Sequence, residues 1–240
     1  MSVTTPVGHK HPMSQMIAEI NQIFAEIGFT FAEGPEREKI LYNFDYLNVP
    51  ADHPSRDMQD TFYLEGDDSL VMRTHTSPVQ VRHMLGNKPP IRMICPGKVF
   101  RNEATDATHE AQFFQLEGLM VDTDVSLAHM KGVLEHFFSR FFGGDVQVRF
   151  RPSFFPFVEP GVEVDMMIAP QAGNKLSGRW IEVMGAGMVH PNVLRAAQID
   201  PDVYQGFAFG MGIDRLGVLR YGIDDIRLMY NGDLRFVNQF

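Results

Sequence analysis

The chain has 240 residues, 44% of them hydrophobic, which suits one large domain of mixed α and β structure or two small ones. Its 21 Lys and Arg against 30 Asp and Glu residues give a net charge of −9, so no basic nucleic-acid-binding domain stands out. The single cysteine excludes a disulfide framework or thiolate metal site, and no apolar run suits a signal peptide or membrane span. These features predict a soluble, cytoplasmic protein with no membrane partner.

The first part of the chain contains a strong helix signal and then irregular stretches. Residues 1–10 are predicted to form a loose lead-in, and apolar residues then recur at helical spacing from Pro12 to Gly28. This apolar stripe suits packing on the domain's own sheet or against another subunit, and the pattern leaves both uses open. Pro35 predicts the start of a short helix, and residues 61–64 predict a strand.

A strand-to-helix junction is predicted within residues 70–86. Residues 70–74 are predicted to form a strand, and the following helix is capped by Ser77 and ended by Gly86. His75 and Ser77 then lie where free backbone N–H groups favour a carboxylate or a phosphate. Taken alone, a capping Ser beside a His is more often structural than functional.

Residues 97–122 carry the densest set of reactive side chains. Both ends of this stretch alternate polar and apolar residues, which predicts two strands joined by a polar loop at residues 102–111. If the strands pair, one cleft can collect the side chains of Arg101, Glu103, Gln115 and Glu117, with His109 and Phe113 above it. A guanidinium suits a phosphate, and carboxylates suit an ammonium group or a magnesium ion. For an isolated Arg-x-Glu pattern, a solvated edge hairpin would be the simpler interpretation.

The second half adds an aromatic segment and a strand that ends in glycines. After a helix capped by Ser126 and a strand at residues 146–150, three phenylalanines surround a proline: Phe154, Phe155 and Phe157. Such a cluster forms part of a core or the wall of an aromatic pocket. The predicted strand at residues 179–189 contains glycines that let backbone approach a ligand closely. On this strand, Glu182 either binds magnesium or ends in solvent.

The last predicted junction joins a strand of small residues to a helix. Residues 206–212 read as the strand, and Ile213 starts a helix with Arg215 in its first turn. Glycines at such a junction are weak evidence for a nucleotide, since no P-loop or dinucleotide fingerprint is present.

Together these motifs resemble the class II aminoacyl-tRNA synthetases, in the form of the phenylalanyl-tRNA synthetase α subunit. FRNE, THE and FQLEG resemble motif 2, residues 11–64 resemble motif 1 and its sequel, and the strand, glycine, helix and arginine order resembles motif 3. The HTSP and FPF segments match as well, and the resemblance runs over residues 11–240. It implies an α+β fold in which helices flank an antiparallel sheet of six or seven strands. The chain departs from the family at Val158, Gly161 and Asp214, where Thr, Ser and Glu are common.

The resemblance implies a two-step reaction that uses ATP and Mg²⁺. Phenylalanine and ATP form phenylalanyl-adenylate, and the acyl group then passes to tRNA(Phe). The family's site residues can be carried over position by position. The catalytic residues would be Arg101, Glu103 and Arg215, and the ATP-binding residues would be Arg101, Glu103, His109, Phe113 and Arg215. The amino-acid-binding residues would be His75, Ser77, Gln115, Glu117, Phe155, Phe157 and Ala208. Glu182 stays the magnesium candidate.

The resemblance also implies partners. The family's α subunit pairs with a β subunit, and an oligomer interface is expected through residues 11–64. The chain begins where the family's catalytic domain begins, without the N-terminal helical arm, so weak tRNA binding by this chain alone is expected. Two alternatives stay open: a paralogue that passes the adenylate to a non-tRNA acceptor, and a non-catalytic module that senses an amino acid. Arg101, Glu103 and Arg215 argue against a sensor, which needs no phosphate ligands.

Overall fold

A computed structural model of the chain describes residues 8–107, 109–169 and 178–240. The strands in these residues are β1 (Thr30–Phe31), β2 (Arg37–Lys39), β3 (Leu70–Met72), β4 (Ile91–Phe100), β5 (Gln112–Asp122), β6 (Val146–Phe155), β7 (Val158–Ile168), β8 (Ile181–Val189) and β9 (Gln205–Gly212). The α-helices are α1 (Pro12–Glu26), α2 (Ile40–Asn43), α3 (Pro78–Gly86), α4 (Leu127–Phe142), α5 (Pro191–Ala196), α6 (Ile213–Tyr221) and α7 (Leu234–Val237). Short 3-10 helices span Asp45–Leu47, Pro54–Arg56 and Ile226–Met229. No helix in these ranges is long and apolar enough to cross a membrane.

Seven of the strands in the described ranges form one sheet in the order β1-β4-β5-β9-β8-β7-β6. All neighbouring pairs are antiparallel except β1 and β4, which run parallel. β2 and β3 form a separate antiparallel pair. The predicted α+β class, with helices flanking a mainly antiparallel sheet, is therefore confirmed.

Helices α1, α4 and α6 cover one face of the sheet and form the main core with it. The apolar stripe of α1 explains its position, because Met16, Ile20 and Phe24 are fully buried. Phe24 stacks on Phe137 of α4 and Phe209 of β9, with ring centroids 4.9 and 5.7 Å apart. Burying each such side chain stabilises the fold by about 1.5–3 kcal/mol. Of the two uses that the sequence left open for this stripe, the structure shows packing within the chain.

The opposite face of the sheet carries a second apolar cluster, which includes Leu119 of β5, Ala208 of β9 and Val79 of α3. Successive strand residues point to opposite faces, so Phe207 and Phe209 join the helix-covered core while Ala208 lies on this second face. Gln115 and Glu117 of β5 alternate with Phe114 and Leu116, which pack in the helix-covered core, so their polar side chains lie on this second face too.

Two predicted elements are wrong. Pro35 does not start a helix: Arg37–Lys39 form β2, with Glu38 buried and paired with Arg82 at 2.6 Å, and α2 begins only at Ile40. Residues 61–64 contribute a single bridge, from Tyr63 to Val71, and no strand. In both places a short segment takes its conformation from partners elsewhere in the chain, which local spacing does not reveal.

Candidate active site

The strands β4 and β5 pair antiparallel from Ile91 opposite Val121 to Phe100 opposite Gln112, with Gly97 opposite Gln115 and Cys95 opposite Glu117. The pairing on which the predicted cleft depended is therefore present. This hairpin forms one wall of a cavity of about 500 Å³ on the sheet face opposite α1. The residues predicted for the site that line this cavity are His75, Ser77, Arg101, Glu103, Gln115, Glu117, Phe155 and Phe157. Thus the fold brings together three separate parts of the chain, at residues 75–77, 101–117 and 155–157.

Glu117 lies at the polar centre of the cavity and is buried. Its carboxylate accepts hydrogen bonds from Ser77 Oγ at 2.8 Å and from Gln80 Nε2 at 2.6 Å, with Thr76 Oγ1 at 3.5 Å. Burial raises the pKa of Glu117 to about 8, although these donors and the charge of Arg101 lower it in part. A ligand ammonium beside this carboxylate would supply the charge that favours its ionised form.

The serine before α3 has a different role from the predicted one. Helix α3 does span Pro78–Gly86, but Ser77 makes no side-chain capping bond to the helix. Its hydroxyl donates to Glu117 instead, because the helix start packs directly against β5. The prediction that Ser77 caps the helix through its side chain is therefore wrong, and its link to the cavity is direct.

Arg101 is held at the end of β4 by two contacts. Its Nε donates to the carbonyl oxygen of Thr74 at 3.2 Å, and its guanidinium lies 5.1 Å from the ring centroid of Phe113. Burial lowers the pKa of Arg101, and Glu103, Glu117 and Asp60 oppose that shift. Because an arginine pKa starts far above neutrality, the side chain stays cationic and can receive an anion.

His75 faces the aromatic end of the cavity as a neutral ring. Burial lowers the pKa of its imidazole to about 3, and the charges of Arg101 and Arg73 lower it further. Its Nδ1 atom is buried and has no hydrogen-bond partner among the described residues. Its ring centroid lies 6.3 Å from that of Phe157. Phe157 stacks in turn on Phe155 at 5.9 Å with an interplanar angle of 21°.

Five predicted residues do not line the cavity: His109, Phe113, Glu182, Ala208 and Arg215. Phe113 packs against Arg101, and the exposed His109 lies 3.1 Å from Asp106 in the loop after β4. Ala208 is buried in the second apolar cluster, against which Phe155 and Phe157 also pack. Arg215 is exposed in the first turn of α6, which follows the β9 end paired with Gln115.

Glu182 belongs to a charged network on β6, β7 and β8. Its Oε2 atom lies 2.9 Å from Arg151 Nη2, and Arg151 also pairs with Glu163 at 2.8 Å and Asp165 at 2.9 Å. No group of three or more metal-binding side chains occurs within the described ranges. The geometry around Glu182 is therefore that of an ion pair with arginine, and it lends no support to the predicted magnesium site.

Comparison with known proteins identifies the architecture that carries this cavity. The family model described as the class II core domain of tRNA synthetases (F) matches residues 2–240. The chain belongs to this class II synthetase family.

Individual relatives agree with the family match. The chain is 55% identical to the phenylalanine–tRNA ligase alpha subunit of Alkaliphilus metalliredigens, over 99% of this chain and 70% of that protein. It is 53% identical to the protein of the same name from Caldanaerobacter subterraneus subsp. tengcongensis, over 97% and 69% of the two chains. The crystal structure of pyrrolysyl-tRNA synthetase from Desulfitobacterium hafniense superposes with a TM-score of 0.71 at 16% identity, over 93% of this chain and 74% of that one, which shows a shared fold.

Within this class II fold, sequence reasoning missed a buried polar cluster beneath the loop at residues 101–111. Asp214 accepts hydrogen bonds from the backbone N–H of Phe114 at 2.7 Å and from the hydroxyl of Tyr230. Burial raises the pKa of Asp214 to about 6 and also raises that of Tyr230. The backbone N–H of Ile226 donates to Ala107 of the loop at 3.0 Å. The C-terminal segment thus braces both the loop and β5.

Gln80 was also missed, and so was the reason for glycine at position 210. A side chain at Gly210 would lie 2.9 Å from both Gln115 Nε2 and Glu117 Oε2. Glycine there lets β9 pass beneath the polar centre of the cavity. An Asp directly before Arg215 and a Gln three residues after Ser77 were visible signals, but only the three-dimensional pairing reveals their partners.

Proposed function

We propose that this chain is the catalytic α chain of a phenylalanine–tRNA ligase, which activates phenylalanine with ATP and transfers it to tRNA(Phe). The observation that carries the proposal is one cavity in which the Arg101 cation, the buried Glu117 carboxylate and the stacked Phe155–Phe157 pair meet. Relatives of more than 50% identity that bear this enzyme's name support it. In the formation of the adenylate, the cation, the carboxylate and the aromatic pair would each have a different role.

The amino-acid end of the reaction is assigned to the buried polar network and the aromatic pair. Glu117 and Gln115 would receive the α-ammonium group, while Ser77 and His75 complete the polar wall. Phe155 and Phe157 would face the substrate ring, where aromatic pairs add about 0.5–1.5 kcal/mol beyond area burial. Ala208, in the apolar cluster behind these rings, would limit the depth of the pocket.

The nucleotide end is assigned to the loop side of the cavity. In-line attack of the substrate carboxylate on the α-phosphate needs charge neutralisation and alignment more than covalent help. Arg101 would bind the α-phosphate, and Arg215 the outer phosphates. Phe113 would stack on adenine, and Glu103 and His109 would orient the nucleotide.

The family implies the use of ATP and Mg²⁺ in general terms. Magnesium commonly binds through one or two carboxylates plus substrate phosphates, so it needs no all-protein cage. Glu182 does not fit this role, because its carboxylate is paired with Arg151 and lies outside the cavity. No step of the proposed mechanism therefore runs through a metal held by Glu182.

We further propose a β-subunit partner and an oligomer interface within residues 11–64. The apolar face of α1 is used inside the chain, so the interface would use other side chains of this region. Phe31, Leu41 and Met58 are large, exposed apolar residues there, with Met58 70% exposed. Such residues suit contact with a second chain.

A test of the acyl-transfer step compares charging of tRNA(Phe) by this chain alone and by the chain with its β subunit. We expect slow charging by the chain alone, because its net charge of −9 leaves little to neutralise RNA phosphates. Addition of the β subunit should raise the rate at least about 10-fold, the effect of about 1.4 kcal/mol in the transition state. Fast charging and tight tRNA binding by the isolated chain at physiological salt would contradict this expectation.

A further inference from the structure

Gly185 occupies the floor of the cavity at a point where two glycines face each other. It lies on β8, directly opposite Gly210 on β9, and both line the cavity. A Cβ atom added at Gly185 would lie 2.8 Å from Cζ, 3.1 Å from Cε2 and 3.3 Å from Cε1 of Phe155. The tip of the Phe155 ring therefore rests on the Gly185 backbone.

The Phe155 ring also lies close to Phe157 and to Gly161. It stacks on Phe157, with ring centroids 5.9 Å apart, and a Cβ atom added at Gly161 would lie 3.4 Å from its Cδ2 atom. Phe157 lies in turn 6.3 Å from the His75 ring. A side chain added at position 185 on β8 would consequently move the Phe155 ring away from the sheet, on the face where the cavity lies.

Neighbouring glycines on the same face meet different atoms. A side chain at Gly187 would meet the backbone oxygen of Pro160 at 2.4 Å, and one at Gly210 would meet Gln115 and Glu117. Gly187 therefore serves strand packing, and Gly210 serves the polar end of the cavity. Of these three glycines, Gly185 is the one whose missing side chain leaves room for an aromatic ring.

We propose that Gly185 is a specificity-determining residue, which sets the space for a substrate ring by letting the tip of the Phe155 ring lie against β8. This inference rests on the proposed function, because the substrate is taken to be an aromatic amino acid. A methyl group at position 185 would drive the Phe155 ring at least about 0.6 Å from its place to restore ordinary contact. That displacement narrows the aromatic end of the cavity and leaves the polar end unchanged.

The test measures phenylalanine-dependent ATP–pyrophosphate exchange by Gly185→Ala. We expect the KM for phenylalanine to rise by roughly 10- to 100-fold, since one methylene more or less in an apolar pocket changes substrate selection by about 10- to 200-fold. The KM for ATP should stay within about twofold of the wild-type value, because the three atoms nearest to a Cβ at position 185 all belong to Phe155, which is assigned to the amino-acid end of the cavity. The double variant with Gly185→Ala and Phe155→Leu should have a kcat/KM for phenylalanine at least about fivefold higher than Gly185→Ala. Phe155→Leu alone should lower the wild-type value.

The matched control is Gly217→Ala on α6, where a Cβ atom would meet the tip of another flexible side chain, Met16 Cε, at 2.9 Å. It introduces similar crowding in the helix-covered core, so its KM for phenylalanine should stay within about twofold of wild type. Equal losses for phenylalanine and ATP in Gly185→Ala, without rescue by Phe155→Leu, would overturn the inference. If Gly185→Ala fails to fold, the double variant carries the test: a folded, active double variant supports the inference, and an unfolded one overturns it.

Failure of the proposed function gives a separate result. If the wild-type chain shows no phenylalanine-dependent exchange, the proposed function is wrong, and this inference is overturned with it. If the wild type is active and Gly185→Ala matches it within about twofold in the KM for phenylalanine, only the assignment of Gly185 is wrong.

Discussion

Replacing Arg101 by Ala is expected to slow phenylalanine-dependent ATP–pyrophosphate exchange by roughly 30- to 1000-fold. The guanidinium is oriented by Thr74 and Phe113 and lies half-buried in the wall of the cavity, where a charge-assisted contact is stronger than in open water. A phosphate contact that tightens in the transition state contributes about 2–4 kcal/mol to catalysis. The loss should appear in kcat as well as in kcat/KM, as expected for a group that stabilises the transition state.

Arg92→Ala provides the control for this experiment. Arg92 is an exposed arginine near the opposite end of β4, so its removal takes one positive charge from the same hairpin without touching the cavity. Its exchange rate should stay within about twofold of wild type, as for most surface substitutions. Exchange by a folded Arg101→Ala variant within about threefold of wild type would remove Arg101 from the proposed mechanism.

Replacing Glu117 by Gln is expected to remove a pH-dependent part of the free energy of unfolding. Burial raises the pKa of Glu117 from an ordinary value of 4.5 to about 8, so the folded chain binds a proton there that the unfolded chain has lost. This stabilising contribution is complete below the unfolded pKa and is lost as the pH rises toward about 8. Between about pH 6 and pH 8, the wild type should lose about 2 kcal/mol more stability than Glu117→Gln.

Urea unfolding at the two pH values measures this difference directly. The comparison between wild type and variant cancels the other titrating groups, including Asp214, whose raised pKa of about 6 lies at the lower end of the range. Glu65→Gln, a change at an exposed carboxylate outside the cavity, should differ from wild type by less than about 0.5 kcal/mol at both pH values. Parallel pH profiles for wild type and Glu117→Gln would show that Glu117 is ionised in the folded chain throughout this range.

The sequence predicted the parts of the site that depend on local alternation. The hairpin of β4 and β5 follows from its period-two pattern, and pairing then places Arg101, Gln115 and Glu117 at one cavity. The helical spacing likewise predicted that α1 is a helix, although packing inside the chain or against a partner could not be distinguished from the pattern. Only the buried contacts of Phe24 with Phe209 decide between them.

The remaining features depend on contacts between distant segments. Ser77 has the sequence context of a helix cap, yet its hydroxyl donates to a carboxylate forty residues away. Asp214 and Tyr230 meet only because the C-terminal segment folds back against β5. The role proposed for Gly185 depends on the register of β8 with β9 and on one ring resting on it. A single sequence contains no signal for such a register.

ATP–pyrophosphate exchange with each of the twenty amino acids in turn tests the central claim most directly. The proposed function predicts exchange that depends on phenylalanine, with tyrosine second and slower by about 10²-fold, since an apolar pocket rejects an added hydroxyl only to that extent. The other amino acids should give little exchange, because they do not fill the space beside Phe155 and Phe157. Exchange driven best by a non-aromatic amino acid, or by none of the twenty in the presence of ATP and Mg²⁺, would contradict the account.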